Sequence, residues 1–395
     1  MVKLPIYLDN QSTTPVDPRV LDAMIPYLKN EFGNAASKHS FGAKAKAACE
    51  EARGEVAKLI NAGEPDEIIF TSGATESNNL ALKGVCEIYR ERGNHIIVSA
   101  IEHKSVIDTA RYLQTVGFQV TFLPVNHDGI VPLDDLKKAI NSKTVLISIM
   151  HANNEIGVLQ NIGEIGTIAK ERSIFFHSDV VQSAGKVPVD VRKMNVDLAS
   201  LSAHKIYGPK GIGVLYVRKQ NPRVRLAPII HGGGHERELR SGTLHVSGIV
   251  GFGKAAEICM GEMAQESKRI LNLRQKLQKG IEVLSEVYVN GSLEHRLPGN
   301  LNVSFGLTEG ETLLNEICDE IAVSSGSACT SAAMEPSYVL KALGANEARI
   351  HTSVRFGIGR FNTEEEIDYT IKHVKQVVQK LRRASPVYAS VKESQ

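Results

Sequence analysis

The residue with the clearest chemical potential is Lys205, which lies in the run LASLSAHKIYGPKGIG (198–213). It follows an apolar strand pattern and precedes a glycine-rich turn, so it could lie in a cleft that holds little water. Loss of water disfavours the ammonium form of a lysine and lowers its pKa, and the neutral amine attacks an aldehyde to form an imine. Lysines also end strands on protein surfaces, and residues 202–205 alone leave both interpretations open.

Polar residues follow five predicted strands at the points where these strands end. They are Ser72, Gly73, Ala74 and Thr75 after the first of them, His103 after the second, His151 and Asn154 after the third, Asp179 and Gln182 after the fourth, and His204 and Lys205 after the fifth. In a parallel sheet, ligands bind outside the carboxyl ends of the strands. We therefore expect these groups to share one edge of the sheet.

The elements that must position these groups are short β-branched runs, which alternate with helical segments from about Glu67 to Val217. This alternation predicts an α/β fold with a mainly parallel seven-stranded sheet covered by helices. The predicted strands cover residues 67–72, 95–100, 119–124, 144–150, 174–178, 198–202 and 213–217. After Val287, isolated strands mixed with helices predict a smaller α+β domain.

A chain of 395 residues is long enough for two domains, and we expect a large domain over 16–260 and a small one formed by 1–15 and 261–395. Its 46 basic and 44 acidic residues form no large block of one sign, which predicts no nucleic-acid surface. No apolar run reaches the ~18 residues that span a bilayer. We expect a cytoplasmic protein with no membrane partner, and an organelle matrix is the alternative location.

The polar groups at the predicted edge match the chemistry of pyridoxal phosphate, which combines an aldehyde, a phosphate and an aromatic ring. The helix start at Thr75 could face the phosphate with backbone N–H groups and a hydroxyl. Asp179 could pair with the pyridine nitrogen and keep it protonated, which makes the ring an electron sink. Gln182 could bind the ring hydroxyl, and His103 could stack on the ring and move protons. Thr75 and Asp179 could also serve only as helix caps.

The cysteines form no pair of metal-site spacing. There are five, an odd number without a CxxC motif, which argues against a disulfide framework or a structural zinc site. Four lie in segments of helical periodicity, whereas Cys329 lies in SSGSACTSAA (324–333), which has no apolar repeat. His231 and His235 have i, i+4 spacing, but the three glycines between them disfavour a helix, and no stable metal site is predicted.

Seven stretches of the chain together resemble the cysteine desulfurases of the class V aminotransferase family, within the fold type I pyridoxal-phosphate enzymes. The stretches are YLDNQSTTPVDPRV, FTSGATESNN, SIMHANNEIG, SAHKIYGPKGIG, HGGGHERELRSGT, AVSSGSACTSAAMEPSYVL and VRFGIGRFNTEEEIDYTI. The resemblance covers nearly the whole chain and is greatest to the desulfurases of iron–sulfur cluster assembly. It implies a homodimer that uses pyridoxal 5'-phosphate.

The resemblance also implies a set of cofactor contacts. Lys205 would carry the cofactor as an imine and act in catalysis together with His103, which would lie over the ring. Asp179 and Gln182 would contact the ring, and Asn154 would also lie against the cofactor. The phosphate site would be formed by Ala74, Thr75, Ser202, Ala203 and His204, and Thr243 of the RSGT stretch would reach the phosphate of the other subunit.

The substrate implied by the resemblance is L-cysteine, whose carboxylate Asn154 and Arg355 would bind. Cys329, on a loop of about residues 324–336, would take the sulfur as a persulfide and leave L-alanine. The sulfur would pass to an iron–sulfur scaffold protein or to tRNA-thiolation carriers, and Cys329 could transiently ligate a [2Fe–2S] cluster shared with the scaffold. The alternatives are a selenocysteine lyase or another pyridoxal-phosphate C–S lyase and, from another class, a structural platform of a sulfur-transfer complex.

Overall fold

The computed structural model describes residues 2–325 and 336–384. The strands in these ranges are β1 (Ile6–Tyr7), β2 (Ile68–Thr71), β3 (His95–Ser99), β4 (Gln119–Leu123), β5 (Thr144–Ser148), β6 (Phe175–Asp179), β7 (Leu198–Ser202), β8 (Gly213–Val217), β9 (Val287–Val289), β10 (Asn300–Phe305), β11 (Ile321–Ala322) and β12 (Ser353–Gly357). The helices are α1 (Pro18–Lys29), α2 (Ser40–Leu59), α3 (Ala74–Ile88), α4 (Lys104–Thr115), α5 (Leu133–Ala139), α6 (Ile162–Glu171), α7 (Val246–Ile281), α8 (Gly310–Cys318), α9 (Tyr338–Ala342), α10 (Glu347–His351) and α11 (Glu364–Ala384).

The large sheet has the strand order β2-β8-β7-β6-β5-β3-β4. Six strands run in one direction, and β8 is antiparallel to both of its neighbours. The residues of most of these strands are buried throughout, because helices cover both faces, and this explains why the strands read as continuous apolar runs. The predicted fold class, an α/β fold with a mainly parallel seven-stranded sheet, is confirmed.

Strand β8 reverses direction because the connection over residues 203–212 is too short for a crossover helix. The strand enters the sheet at Gly213, where a Cβ would lie 2.5 Å from the Cα of Gly73. Only glycine therefore lets β8 begin beside the turn between β2 and α3. This close approach brings the turn that carries Lys205 next to the start of α3.

Two apolar layers pack on the large sheet. On one face, α3 and α4 contribute residues such as Leu82 and Val106. On the other face, α1, α2, α6 and the first half of α7 contribute residues such as Met24, Ile165 and Phe252. The sheet is thereby held on both sides, and its carboxyl edge is left for polar side chains.

A second group of strands lies in the C-terminal part, where β9, β10 and β12 form an antiparallel sheet in the order β12-β10-β9. Helices α8 and α11 and the second half of α7 pack against this antiparallel sheet, with Leu277 and Val374 in a shared apolar cluster. Strand β1 pairs in parallel with β11, and Leu8 joins the same cluster. Residues near the N-terminus thus pack with the C-terminal part. The boundary near residue 260 falls inside α7, and the division into two domains stays a prediction.

Within the described ranges, the helices are all too short or too polar for a bilayer span.

Candidate active site

A cleft of about 490 Å³ lies at the carboxyl edge of the large sheet. It brings together most of the residues that the sequence singled out: Ala74, Thr75, His103, Asn154, Asp179, Gln182, Ser202, His204, Lys205 and Arg355. Ala203, His151 and Thr243 do not line this cleft. Cys329 lies outside the described residues. Five strands of the large sheet deliver polar groups to one edge, as their parallel direction requires.

Ala203 is fully buried beneath the turn that carries Lys205. Its carbonyl accepts a hydrogen bond of 2.9 Å from the N–H of Gly208. A Cβ at Gly208 would lie 2.8 Å from the Cβ of Ala203, so the two positions pack closely. Ala203 therefore shapes this turn from below and does not face the cleft.

The anion-binding end of the cleft is the start of α3. Its N-cap residue, Gly73, makes no side-chain cap, so the first N–H groups of this 15-residue helix are left for a ligand. Ala74 and Thr75 begin the helix at the cleft, and Ser202 and His204 line the same cleft. A dianionic phosphate is the ligand that such a helix start stabilises. The residues present thus fit the phosphate of pyridoxal phosphate.

Two features keep this end of the cleft suitable for an anion. The Glu76 carboxylate lines the cleft, but Oε1 accepts a hydrogen bond of 3.0 Å from Nε of Arg240, which neutralises it. Burial and the charges of Lys205 and Lys210 lower the pKa of His204 to about 4. His204 is therefore neutral at physiological pH and can donate one N–H to a ligand.

The aromatic end of the cleft is formed by Asp179, Gln182 and His103. Asp179 ends β6, and its Oδ1 accepts a hydrogen bond of 3.0 Å from the N–H of Val181. Gln182 donates from Nε2 to the carbonyl of Gln11 at 2.9 Å. Burial lowers the pKa of His103, so its imidazole is neutral at physiological pH. A carboxylate, an amide and a neutral imidazole around one space suit a pyridine ring with a ring hydroxyl.

A buried side-chain oxygen of Asn154, in the same cleft, indicates that a ligand donates a hydrogen bond there. Oδ1 of Asn154 is buried and has no hydrogen-bond partner within residues 2–325 and 336–384. Buried polar atoms are almost always paired, so a ligand donor is expected beside it. Because Asn154 lines the cleft, this observation supports a ligand that brings its own polar groups.

Lys205 lies at the centre of the cleft, at the end of the 3-10 turn 203–205. Its Nζ donates to the backbone carbonyls of Gln11 and Ser12, the second at 2.6 Å. Lys205 thus contacts the N-terminal segment 9–14, of which residues 11–13 line the cleft. The amine is held among backbone carbonyls at the carboxyl edge of the sheet, next to the phosphate-binding helix start.

Arg355 supplies a buried cation that, like Lys205, contacts Ser12. Its side chain is 2% exposed, and Nη2 contacts Oδ1 of Asp9 at 2.8 Å and Oγ of Ser12 at 2.5 Å. Nη1 donates to the carbonyl of Asn154 at 2.9 Å, whereas Nε has no partner among the described residues. A guanidinium held in this way presents a fixed charge to a carboxylate, which suits an amino-acid substrate.

Ser324 and Ser337, close to either side of residues 326–335, are both hydrogen-bonded at the site. The carbonyl of Ser324 accepts a backbone hydrogen bond of 2.7 Å from Arg355. The hydroxyl of Ser337 donates at 2.6 Å to Oε2 of Glu155, the residue after Asn154 in the chain. Burial raises the pKa of Glu155 to about 7. The described residues on both sides of 326–335 are therefore held beside the cleft.

Sequence reasoning missed the N-terminal contribution to the site. Gln11, Ser12 and Thr13 all line the cleft, and Oγ1 of Thr13 lies 3.1 Å from Nδ1 of His204. The polar run DNQSTTP (9–15) was the available signal, because an unbroken polar stretch beside a strand-like start has no core to join. Asn78 and Ser105 were also missed, since they lie inside helices.

The sheet topology and the cleft together define the class of protein, an α/β enzyme of the fold type I pyridoxal-phosphate group. The sequence pattern of the class-V aminotransferases matches residues 6–370. The chain therefore belongs to the class-V aminotransferase family and, since relatives at 55–57% identity are cysteine desulfurases, to the cysteine desulfurases within it. The resemblance stated from the sequence is confirmed.

Two curated relatives can be aligned with this chain over almost their whole length. The chain is 57% identical over 394 residues to the cysteine desulfurase IscS of Anaeromyxobacter dehalogenans, with 99% of this chain and 97% of that protein covered. It is 55% identical over 393 residues to the cysteine desulfurase IscS of Neisseria gonorrhoeae, with 99% and 96% covered. A solved NifS-like protein has a TM-score of 0.90 and 41% identity, and covers 96% of this chain and 100% of its own. SspA in complex with cysteine has a TM-score of 0.80 and 38% identity, with 91% and 100% covered.

Proposed function

We propose that this chain is a pyridoxal-phosphate-dependent cysteine desulfurase that converts L-cysteine to L-alanine and holds the released sulfur as a persulfide on Cys329. The observation that carries the proposal is one cleft that combines an amine, Lys205, an anion-binding helix start and a buried guanidinium, Arg355. These are the three contacts that a cofactor aldehyde, a cofactor phosphate and a substrate carboxylate require. Relatives at 54–57% identity named as cysteine desulfurases support the same activity.

Different residues of the chain would bind the cofactor and transfer protons. The start of α3 at Ala74 and Thr75, with Ser202 and His204, would hold the phosphate, while Lys205 would bind the aldehyde carbon. When bound, pyridoxal phosphate withdraws electrons from the α-carbon of an amino acid. The carboxylate of Asp179 would keep a proton on the pyridine nitrogen, and Gln182 would donate to the ring hydroxyl. The amine of Lys205 would then move a proton at the substrate carbon.

The sulfur step would use the thiolate of Cys329 as nucleophile. Its sulfur would attack the sulfur of L-cysteine, so that an S–S bond forms and the C–S bond breaks. The electron pair of the broken bond would stay with the carbon that takes up a proton and becomes the methyl group of L-alanine. The carboxylate of the substrate would be held by Arg355 and Asn154 throughout.

A homodimer is part of the proposal because Thr243 is exposed and does not line the cleft of its own chain. The loop before it is held in a fixed shape. Three consecutive residues, Glu236, Arg237 and Glu238, have positive φ angles of 46°, 59° and 68°. The buried Glu236 carboxylate accepts hydrogen bonds of 2.8 Å from Arg53, which stabilises this conformation. A loop held in this way can present Thr243 to the phosphate of a second copy.

The partners of the persulfide follow from its chemistry. The sulfur would pass to an acceptor thiol on an iron–sulfur scaffold protein or on a tRNA-thiolation carrier, and Cys329 could transiently ligate the [2Fe–2S] cluster that forms there as cargo. We expect these transfers to take place in the cytoplasm. Neither nucleic acid nor a membrane is expected to bind the chain directly.

The proposal is tested by incubation of the cofactor-loaded protein with L-cysteine in the absence of a reductant. We expect one equivalent of L-alanine in the first turnover and, by mass spectrometry of the intact and digested protein, one added sulfur atom on Cys329. Free sulfide with pyruvate and ammonia in place of L-alanine, and an unmodified Cys329, would identify an eliminating C–S lyase instead. Neither L-alanine nor pyruvate from a fully loaded protein would refute both activities.

Arg355→Lys tests the carboxylate-binding assignment. The variant keeps the positive charge but loses the planar fork, so kcat/KM for L-cysteine is expected to fall by roughly 10- to 100-fold through a higher KM. The absorbance of the bound cofactor should be unchanged. Arg349→Lys is the matched control, because Arg349 binds Oδ1 of Asn290 at 2.8 Å and does not line the cleft. An unchanged KM in Arg355→Lys would contradict the assignment.

A further inference from the structure

One fully buried side chain, Asn78, and one partly buried side chain, Ser105, connect the residues that face the cofactor ring. Nδ2 of Asn78 donates to Oδ2 of Asp179 at 2.8 Å and to Oγ of Ser105 at 2.8 Å. Oγ of Ser105 lies 2.8 Å from Nδ1 of His103. Asn78 is completely buried on α3, and Ser105 lies in the first turn of α4. Asp179 and His103, on different strand ends, are thus joined by a chain of three hydrogen bonds.

The direction of each hydrogen bond in this chain is fixed by chemistry. An ionised Asp179 can only accept, so the amide of Asn78 must turn its nitrogen to it. The same nitrogen is a donor to Ser105, which must therefore use its own hydroxyl proton elsewhere. The available acceptor is Nδ1 of His103, which also accepts the backbone N–H of Ser105 at 3.1 Å.

His103 therefore has a defined tautomer. With two donors directed at Nδ1, the proton of the neutral imidazole must lie on Nε2, the ring nitrogen left for the cleft. A ring in this form donates a hydrogen bond into the cleft and has no lone pair there to act as a base. The carboxylate of Asp179 is oriented by the same chain, through Asn78 on one oxygen and Val181 on the other.

We propose that Asn78 and Ser105 are positioning residues, which hold the proton of His103 on Nε2 and orient the Asp179 carboxylate toward the ring site. The two residues act through their neighbours and not by contact with the cofactor. The inference deepens the proposed function and rests on it for its catalytic consequence. The tautomer of His103 is a property of the chain itself and can be measured independently.

The charges around His103 oppose one another. Asp179 at the end of β6 and Asp108 on α4 favour the protonated imidazole, whereas Lys205 on the turn after β7 and burial disfavour it. The hydroxyl and the backbone N–H of Ser105 also disfavour the protonated imidazole, because a proton on Nδ1 would break both of the hydrogen bonds that they donate. Removal of the Ser105 hydroxyl should thus make His103 easier to protonate.

The test is the tautomer and titration of His103 in protein labelled with 15N-histidine, read by long-range 1H–15N correlation. The signal is assigned among the 13 histidines by comparison with His103→Gln. We expect the Nε2–H tautomer in the native protein. In Ser105→Ala, the titration of His103 should move upward by about 0.7 pH unit, and the acid limb of the kcat/KM profile should move with it. Ser105→Thr keeps the hydroxyl and should restore both.

A second pair of variants tests the part played by Asn78. Asn78→Ala should also move the titration of His103 upward, because Ser105 loses the donor that directs its hydroxyl proton to Nδ1 and the Asp179 carboxylate loses a hydrogen bond. Asn79→Ala is the matched control on the same helix, where the side chain donates to the carbonyl of Thr75 at 3.0 Å, and it should leave the titration unchanged. A native Nδ1–H tautomer, or a titration unmoved in Ser105→Ala, would overturn the proposal. A protein with the expected tautomer that fails to bind the cofactor would instead refute the proposed function.

Discussion

Lys205→Ala is expected to abolish the yellow absorbance of the bound cofactor and to lower the rate of L-alanine formation by at least about 10³-fold. The absorbance requires a covalent link between an amine and the cofactor aldehyde, and Lys205 is the lysine at the centre of the cleft. The same amine is proposed to move the proton at the substrate carbon, so loss of attachment and loss of rate should occur together. Absorbance spectra and single-turnover alanine formation measure the two effects separately.

The control for this variant is Lys210→Ala, which removes another lysine that lines the cleft. It should leave the absorbance of the cofactor in place, because an amine that makes no covalent link contributes no colour. Added methylamine gives a further check, since a small amine can restore proton transfer in Lys205→Ala without restoring attachment. If Lys205→Ala kept the native absorbance, another lysine would have to hold the cofactor.

Cys329→Ser is expected to stop sulfur transfer while the cofactor stays bound. A hydroxyl is a far weaker nucleophile toward sulfur than a thiolate, and its oxygen cannot carry a persulfide. Alanine formation from L-cysteine should fall to the background rate, and no added sulfur should be found on the protein. The absorbance of the cofactor should be that of the native protein, since Lys205 and the phosphate site are unchanged.

Cys318→Ser provides the matched control for Cys329→Ser. Cys318, at the end of α8, is exposed, but partial burial of its thiol raises its pKa, so little thiolate is present at neutral pH. Its replacement should leave alanine formation unchanged. Full desulfuration of L-cysteine by Cys329→Ser would exclude the persulfide mechanism and favour a C–S lyase that releases sulfide.

The sequence allowed the strands and the cleft to be predicted because both depend on residue type. Runs such as IFFHS and LASLS read as buried strands, and the polar groups that follow them share an edge once the strands are parallel. Asp179, Asn154 and Lys205 could all be placed by this argument. It needed no knowledge of contacts between distant parts of the chain.

The contacts that escaped prediction are those made by the backbone or at long range. Lys205 binds the carbonyls of Gln11 and Ser12, and a backbone carbonyl has no signature in the sequence. The pairing of β1 with β11 joins residues 6–7 to residues 321–322, far apart in the chain, and this pairing brings residues 9–14 to the cleft. The direction of β8 also depended on geometry, because its short connection, and not its composition, reverses it.

Helix α7 has a mechanical consequence for how substrate reaches the cleft. A helix of 36 residues is about 54 Å long, and it resists bending because its backbone hydrogen bonds continue along its length. Its first half is fixed against α1 and α2, and its second half against α11 and β10. Rotation of one sheet relative to the other would bend α7 and disrupt its packing against α1 and α2 or against α11 and β10. We therefore expect the two sheets to keep a fixed relative orientation and access to the cleft to depend on side chains and loops at its rim.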